Sequence, residues 1–414
     1  MIIVVFILGY LAIIFENNIK VNKTASALLM AVLTWMFLFL LLPNPHALGE
    51  KVNEISQIIF FLLGAMALVE VIDVHKGFKV ITDLIQTSSK RKMLWIMGVT
   101  TFFLSAILDN LTTTIVMLSL LRKLIPDQKE RWILGGMIVI AANAGGAWTP
   151  IGDVTTTMLW INGNISTLAV MKNLFFPSFI SLIVALVLIG WNLDGIYPYA
   201  AARAHEEEVE PGSRIVFFLG LGALVFVPIF KALTGLPPFM GMLLSLGVLW
   251  LVTDIIHAPY EKREHLRLPQ VLSRIDTSGV LFFLGILLCI GALDVAGILD
   301  ALAHFLNRTV GNLSVIVTLI GLISAVIDNV PLVAAGMGMY SLSEHPQNAF
   351  LWQMLAYCAG TGGSILVIGS AAGVAFMGLE KVNFIWYLRR VSLVALLSYF
   401  VGVGVLVLQE MVFA

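Results

Sequence analysis

Residues 105–110 read Ser-Ala-Ile-Leu-Asp-Asn, and residues 324–329 read Ser-Ala-Val-Ile-Asp-Asn, an offset of 219. Three more landmarks recur in the same order. Asn143-Ala-Gly-Gly146 returns as Gly360-Thr-Gly-Gly363 at 217, Phe60-Phe61-Leu62 as Phe282-Phe283-Leu284 at 222, and Asp73-Val74 as Asp294-Val295 at 221. Four landmarks at nearly constant spacing mark an internal duplication, so the fold must be one that two copies of a single unit can build. A polar stretch, 193–213, carries Glu206, Glu207, Glu208, Glu210 and Pro211 and has no apolar stripe. It divides the chain into a first repeat, 1–192, and a second, 214–414.

The solvent of those repeats follows from composition. The chain is 59% hydrophobic and 12% charged, where soluble domains carry about 25% charged residues. The apolar residues come in runs of about twenty, the mark of membrane-spanning helices. The runs fall at 2–18, 25–42, 55–73, 93–121, 132–161 and 172–192 in the first half. In the second they fall at 214–233, 239–256, 277–297, 312–341, 350–378 and 391–410. The first run has no basic stretch before it and no small-residue cleavage site after it, so it is expected to stay as a helix. Cys289 and Cys358 lie inside runs and read as small hydrophobes. A net charge of −1 says nothing about an acidic or basic partner, and no nucleic-acid partner is expected.

Two runs in each half have the wrong length for one crossing. Residues 93–121 and 312–341 carry the Asp-Asn pair at mid-length, and folding there gives legs too short to span. They are expected to be re-entrant hairpins. Residues 132–161 and 350–378 are interrupted by glycines and are expected to be discontinuous helices, whose unwound backbone lines a buried polar site. The positive-inside rule tests this drawing. With the N-terminus outside and both hairpins returning to the side they enter, only Lys51, Lys172, Lys231 and Arg308 of the 24 Lys and Arg lie outside. Each half then makes five crossings, an odd number, so the second half is inverted. The expected fold is all-α and integral to the membrane, with two inverted repeats of five transmembrane helices plus one re-entrant hairpin each.

Ionisable side chains at membrane depth are costly unless hydrated, paired or ion-bound. Asp109 and Asp328 occupy matched tips, and Asp153 sits in the break of the first discontinuous helix. Ser370 aligns with Asp153, so the two halves differ in charge. Neutral oxygens surround these positions: Ser105, Asn110, Thr112, Thr113, Asn143, Ser324, Asn329, Thr361 and Ser364. A small hard cation wants such a set. A desolvated aspartate can hold either a cation or a proton, so the two compete. The plainer reading of any one Ser or Thr is a bond to its own helix backbone, and of a glycine, close helix packing. Glu70, Asp73 and Asp294 lie near helix ends, where snorkelling serves them. The seven histidines read as solvated loop and segment-end residues, with pH sensing the alternative for His75 and His257, and Glu206–Glu210 reads as a solvated linker. No nucleophile–base pair, metal motif or cofactor fingerprint is present, which argues against an enzyme.

The paired Asp-Asn tips, the Asn143–Thr156 stretch (NAGGAWTPIGDVTT) and the two halves resemble the NhaD-type sodium/proton antiporters of the ion transporter superfamily. The resemblance covers nearly the whole chain. It implies a scaffold of outer helices, a mobile domain of hairpins and broken helices, an elevator-like displacement and a homodimer. It implies functional roles at Ser105, Asp109, Asn110, Asn143, Asp153, Thr155, Thr156, Ser324, Asp328, Asn329 and Ser364, with Asp109, Asn110, Asn143 and Asp153 expected to hold sodium. Sodium, with lithium beside it, and protons are then the transported substrates, and no cofactor is expected. The expected setting is a bacterial-type inner membrane, with both termini outside. The alternatives are a sodium-coupled dicarboxylate symporter and an arsenite exporter of the same superfamily, separable by succinate uptake and by arsenite sensitivity. A fixed-pore channel is a third, disfavoured by the broken-helix repeat.

Overall fold

Asparagine, aspartate and serine open many of the helices, because their side-chain oxygens accept from an amide two or three residues on and satisfy an orphaned first-turn donor. The Thr24 N–H donates to Asn22 Oδ1 at 2.8 Å, and the Ala47 N–H to Asn44 Oδ1 at 3.3 Å just ahead of Pro45. The computed structural model describes residues 1–82, 87–191, 193–197 and 210–413. Arg203, Glu206, Glu207 and Glu208 of the expected linker lie outside the described residues.

The longer helices of the first half are α1 (Ile2–Ile14), α2 (Lys23–Leu41), α3 (Pro45–Val74), α4 (Lys90–Ser105), α5 (Asn110–Leu124), α6 (Gln128–Gly146), α7 (Val154–Ile161) and α8 (Thr167–Gly190). Those of the second are α9 (Ser213–Thr234), α10 (Pro238–His257), α11 (Thr277–Val295), α12 (Ile298–Val310), α13 (Leu313–Ile323), α14 (Asn329–Met339), α15 (Phe350–Gly362), α16 (Ala371–Glu380) and α17 (Ser392–Phe413). No strand occurs among the described residues beyond an isolated bridge between Ser89 and Ile196. Among them α2, α3, α8, α9, α10, α11 and α17 are long and apolar enough to cross a membrane. Leu29, Val32 and Leu40 on α2, Phe218 and Leu233 on α9 and Leu251 and Ile255 on α10 point outward and are largely exposed. Apolar faces on that scale suit a lipid solvent and not water.

All four long runs break where the sequence expects. Residues 106–109 part α4 from α5, 147–153 part α6 from α7, 324–328 part α13 from α14, and 363–370 part α15 from α16. The packing is matched between halves. α4 lies on α6 as α13 lies on α15, α5 on α6 as α14 on α15, and α1 on α2 as α9 on α10. α3 packs on α10 as α2 packs on α11, and α8 meets α17.

Two features differ from the sequence expectation. α12, read as loop, is an amphipathic helix with Leu299 and Ala303 buried, ended by Gly311 at φ +71°, and the chain turns 116° into α13. Amphipathy, with only one narrow apolar stripe, hides such a helix from a search for apolar runs. His75 and His257 do sit at the ends of α3 and α10, but neither is solvated: both are fully buried. Their rings face each other, Nε2 to Nε2 at 2.9 Å, so each supplies the polar partner that water would have supplied. Asp294 keeps its interfacial reading, in an ion pair with Lys51 at 3.0 Å.

Candidate functional site

Close backbone approach, permitted by glycine, draws the four breaks together. A β-carbon on Gly152 would lie 2.6 Å from the Ser105 carbonyl oxygen, and one on Gly369 would lie 2.6 Å from that of Ser324. The same serines tie the end of α4 to α6 and the α13–α14 break to α15 by matched bonds. Ser105 Oγ donates to the Ala142 carbonyl at 2.6 Å, and Ser324 Oγ to the Ala359 carbonyl at 2.9 Å. Thr149 Oγ1 adds a bond to the Ala106 carbonyl at 2.6 Å.

Asp153 stands inside this junction with 1% of its surface exposed. Its Oδ1 accepts from the Thr155 N–H at 2.9 Å and the Thr155 hydroxyl at 2.8 Å, capping α7. Its Oδ2 accepts from Asn110 Nδ2 at 2.7 Å, and Asn329 Nδ2, from the opposite half, lies 3.4 Å from both oxygens. Asn110 Nδ2 also donates to Asn143 Oδ1 at 2.9 Å. Asn143 Nδ2 in turn donates to Ser364 Oγ at 2.8 Å and Ser370 Oγ at 2.9 Å. One continuous network therefore joins the starts of α5 and α14 to the α6–α7 and α15–α16 breaks around a single buried carboxylate. Such a group is costly to keep charged without these donors or a cation beside it.

The tip aspartates are placed differently. Asp109 caps α5, accepting from the Thr112 N–H at 2.7 Å and its hydroxyl at 2.6 Å. Asp328 caps α14, accepting from the Val330 N–H at 3.3 Å. Both are half-buried and line a cavity of about 470 Å³ that also reaches Glu16, Lys23 at the start of α2 and Asp276 at the start of α11. Lys23 sits over the Phe282 ring, 4.5 Å from its centre.

The expected site residues thus sort into three groups. Asn110, Asn143, Asp153, Thr155, Asn329 and Ser364 form the network, and Asp109, Thr112 and Asp328 face the cavity. Ser105, Ser324, Thr156 and Thr361 bond backbone carbonyls, the last two within their own helical turns. Ser370 belongs to the network although sequence reasoning left it out of the site; its alignment with Asp153 was the signal. Glu380 was missed altogether. Its fully buried carboxylate accepts from Arg122 Nε at 2.7 Å and Arg131 Nε at 3.0 Å, tying the end of α16 to α5 and α6.

Residues 10–360 match the citrate transporter family. Sodium/proton antiporter 1 of Arabidopsis thaliana is 55% identical over 405 residues, covering 96% of this chain and 70% of that protein. Sodium/proton antiporter 2 of the same plant is 53% identical over 409 residues, 96% of each chain. The Na(+)/H(+) antiporter NhaD of Vibrio cholerae is 29% identical over 438 residues, 97% of this chain and 90% of that one.

Proposed function

The chain belongs to the citrate transporter family, in the company of NhaD-type sodium/proton antiporters, and from that premise we propose that it exchanges sodium ions for protons across a membrane. The observation that carries the reading is Asp153: a carboxylate buried at a four-way junction, with Asp109 and Asp328 on a cavity beside it. Antiport needs one site that holds either a cation or protons and crosses only when occupied. A dry carboxylate meets that need, because its negative charge must be compensated before it moves through a low-dielectric barrier. Asn110, Asn143 and Asn329 bring side-chain amides to the same place; amide oxygen, presented by turning such a group, together with carboxylate oxygen suits sodium and lithium.

The matched serine bonds, glycine contacts and helix packing support reading the halves as inverted repeats. In that reading α4–α7 and α13–α16 form the moving part, carried past the outer helices in an elevator-like step. The cavity reaches loops on the face rich in Lys and Arg, which supports an inward-facing arrangement. The expected setting is an ion-tight, energised membrane of the bacterial inner-membrane type. There the protein would be a homodimer with both termini outside, serving sodium and pH homeostasis.

A citrate-like or dicarboxylate substrate fits the cavity poorly. Its lining carries Glu16, Asp109, Asp276 and Asp328 against Lys23, and an anion would meet four carboxylates. In inside-out vesicles, Asp109→Asn retains folding, since asparagine caps a helix as well as aspartate, and loses the sodium-dependent collapse of a proton gradient. Full activity in that variant overturns the proposal, and sodium-dependent uptake of labelled succinate would replace it.

A further inference from the structure

Asp153 and Ser370 open α7 and α16 with nearly the same backbone, φ −145° and ψ 146° against φ −147° and ψ 157°. Each caps its own helix. Asp153 accepts from the Thr155 N–H at 2.9 Å, and Ser370 from the Gly373 N–H at 3.2 Å. Their surroundings match as well. A β-carbon on Gly146 would meet Asp153 Cβ at 3.1 Å, and one on Gly363 would meet Ser370 Cβ at 2.9 Å. Both have 1% of their surface exposed. Both join the asparagine network, Asp153 through Asn110 and Ser370 through Asn143. Ser370 therefore occupies the place of a carboxylate without carrying its charge.

We infer that residue 370 sets how much negative charge the site carries, and so how many cations cross in each cycle. The inference rests on the antiport reading and deepens it. Every uncompensated buried charge must gain a partner before the site moves. Asp153 has as donors the Asn110 amide, the Thr155 N–H and the Thr155 hydroxyl, with Asn329 at longer range. At 370 the donors are the Asn143 amide and the Gly373 N–H, and the residue matching Thr155 is Ala372. A carboxylate at 370 would lean harder on a cation or a proton than Asp153 does. The serine keeps the second half of the site neutral while leaving the network intact.

The test uses full-length protein in proteoliposomes: wild type, S370D, S370N, D153S and the exchange D153S/S370D. The readout is the sodium gradient at which proton flux reverses at a fixed membrane potential, which reports ions per cycle. S370D is expected to shift the reversal point by one added cation. S370N, which keeps a capping oxygen without charge, slows transport without moving that point. D153S loses sodium-driven proton flux, and D153S/S370D regains about an order of magnitude over it, the effect of one charged hydrogen-bonding group. A wild-type ratio in S370D, or an exchange variant no better than D153S, overturns the inference. So does failure of both S370D-bearing proteins to fold, since the position would then not accept a carboxylate. A wild type that moves no protons with sodium fails the antiport reading instead, so the two failures are told apart.

Discussion

His75 and His257 clasp the ends of α3 and α10 together, Nε2 to Nε2 at 2.9 Å, with both rings fully buried. The Val71 carbonyl can only accept, so the 2.7 Å contact assigns the hydrogen to His75 Nδ1. His75 Nε2 is then a bare acceptor, and His257 Nε2 donates to it. His257 Nδ1 is left unprotonated, with no hydrogen-bond partner among the described residues. The contact fits while both rings are neutral. A proton on His75 Nε2 opposes the donor facing it, and one on His257 Nδ1 finds no acceptor.

Thermal stability should therefore fall as pH falls through the histidine range. Burial holds the His75 imidazole below its ordinary value, outweighing the Val71 carbonyl and Glu210, while His265 pushes the same way as burial. The unfolded chain thus takes up the proton first. The contribution is complete above the unfolded value of about 6.5 and is lost as pH drops toward the folded one. Unfolding temperature in detergent, followed from about pH 8 to pH 5, should decline for wild type and be flatter for the double variant His75→Asn, His257→Gln. Equal slopes in the two proteins would remove the histidines from the account.

The two asparagines that reach Asp153 are unequal, and transport should register the difference. Asn110 Nδ2 is 2.7 Å from the carboxylate, whereas Asn329 Nδ2 is 3.4 Å from both oxygens. A hydrogen bond to a charged group contributes about 1.5–3 kcal/mol, roughly ten- to a hundredfold in an equilibrium constant. At alkaline pH, where protons compete least, Asn110→Ala should lower the sodium concentration for half-maximal exchange by about tenfold or more, because the carboxylate then leans harder on a cation, and Asn329→Ala should do so less. The reverse order in a fluorescence-quenching assay would show that the contacts reorganise before sodium binds.

The breaks were legible because membrane length and repetition constrain them twice over: a run too long for one crossing, with Asp109 or Asp328 at its middle, has few ways to fold. Asp153 was legible as an ionisable group at membrane depth. The division of labour among the acids was not. Nothing in the spacing separates Asp153, sealed among amides, from Asp109 and Asp328 on the cavity, because that depends on how four breaks meet in space. His75 and His257 were misjudged for a similar reason. Each is a polar residue at a helix end, where solvent is the ordinary partner, and the actual partner lies 182 positions away.

Glu380 escaped notice because it sits at the end of an apolar run beside Lys381, where an acid looks interfacial. Its carboxylate is fully buried between Arg122 and Arg131, while the Trp132 Nε1–H and Gln128 Nε2 donate to its carbonyl at 3.0 and 2.7 Å. Removing the acid leaves two guanidiniums without their counter-charge, though each still donates to a backbone carbonyl. Arg131 has only 12% of its side chain exposed, so water replaces the acceptor poorly there, whereas Arg122 at 44% rehydrates easily. Glu380→Gln should cost about 1–3 kcal/mol, read as a lowered unfolding temperature with the sodium dependence of the remaining active protein unchanged. A shift in sodium dependence without loss of stability would make Glu380 part of the transport path.

Gly152 and Gly369 separate what the two halves share from what they do not. A methyl group at either would press on a main-chain carbonyl at 2.6 Å, Ser105 in one half and Ser324 in the other. A backbone oxygen inside a packed hairpin cannot swing aside as a flexible side chain can. Gly152→Ala and Gly369→Ala should each destabilise by about 1–3 kcal/mol and impair exchange to a similar degree, read as unfolding temperature and as flux per folded molecule. Near-equal effects are the signature of a shared architecture. Asp153, which carries a charge, and Ser370, which does not, have nearly the same backbone and should by contrast respond to substitution in opposite senses. Tolerance of alanine at one glycine and not the other would mean that the matched contacts bear load in only one half, and the duplication would then extend to geometry but not to mechanics.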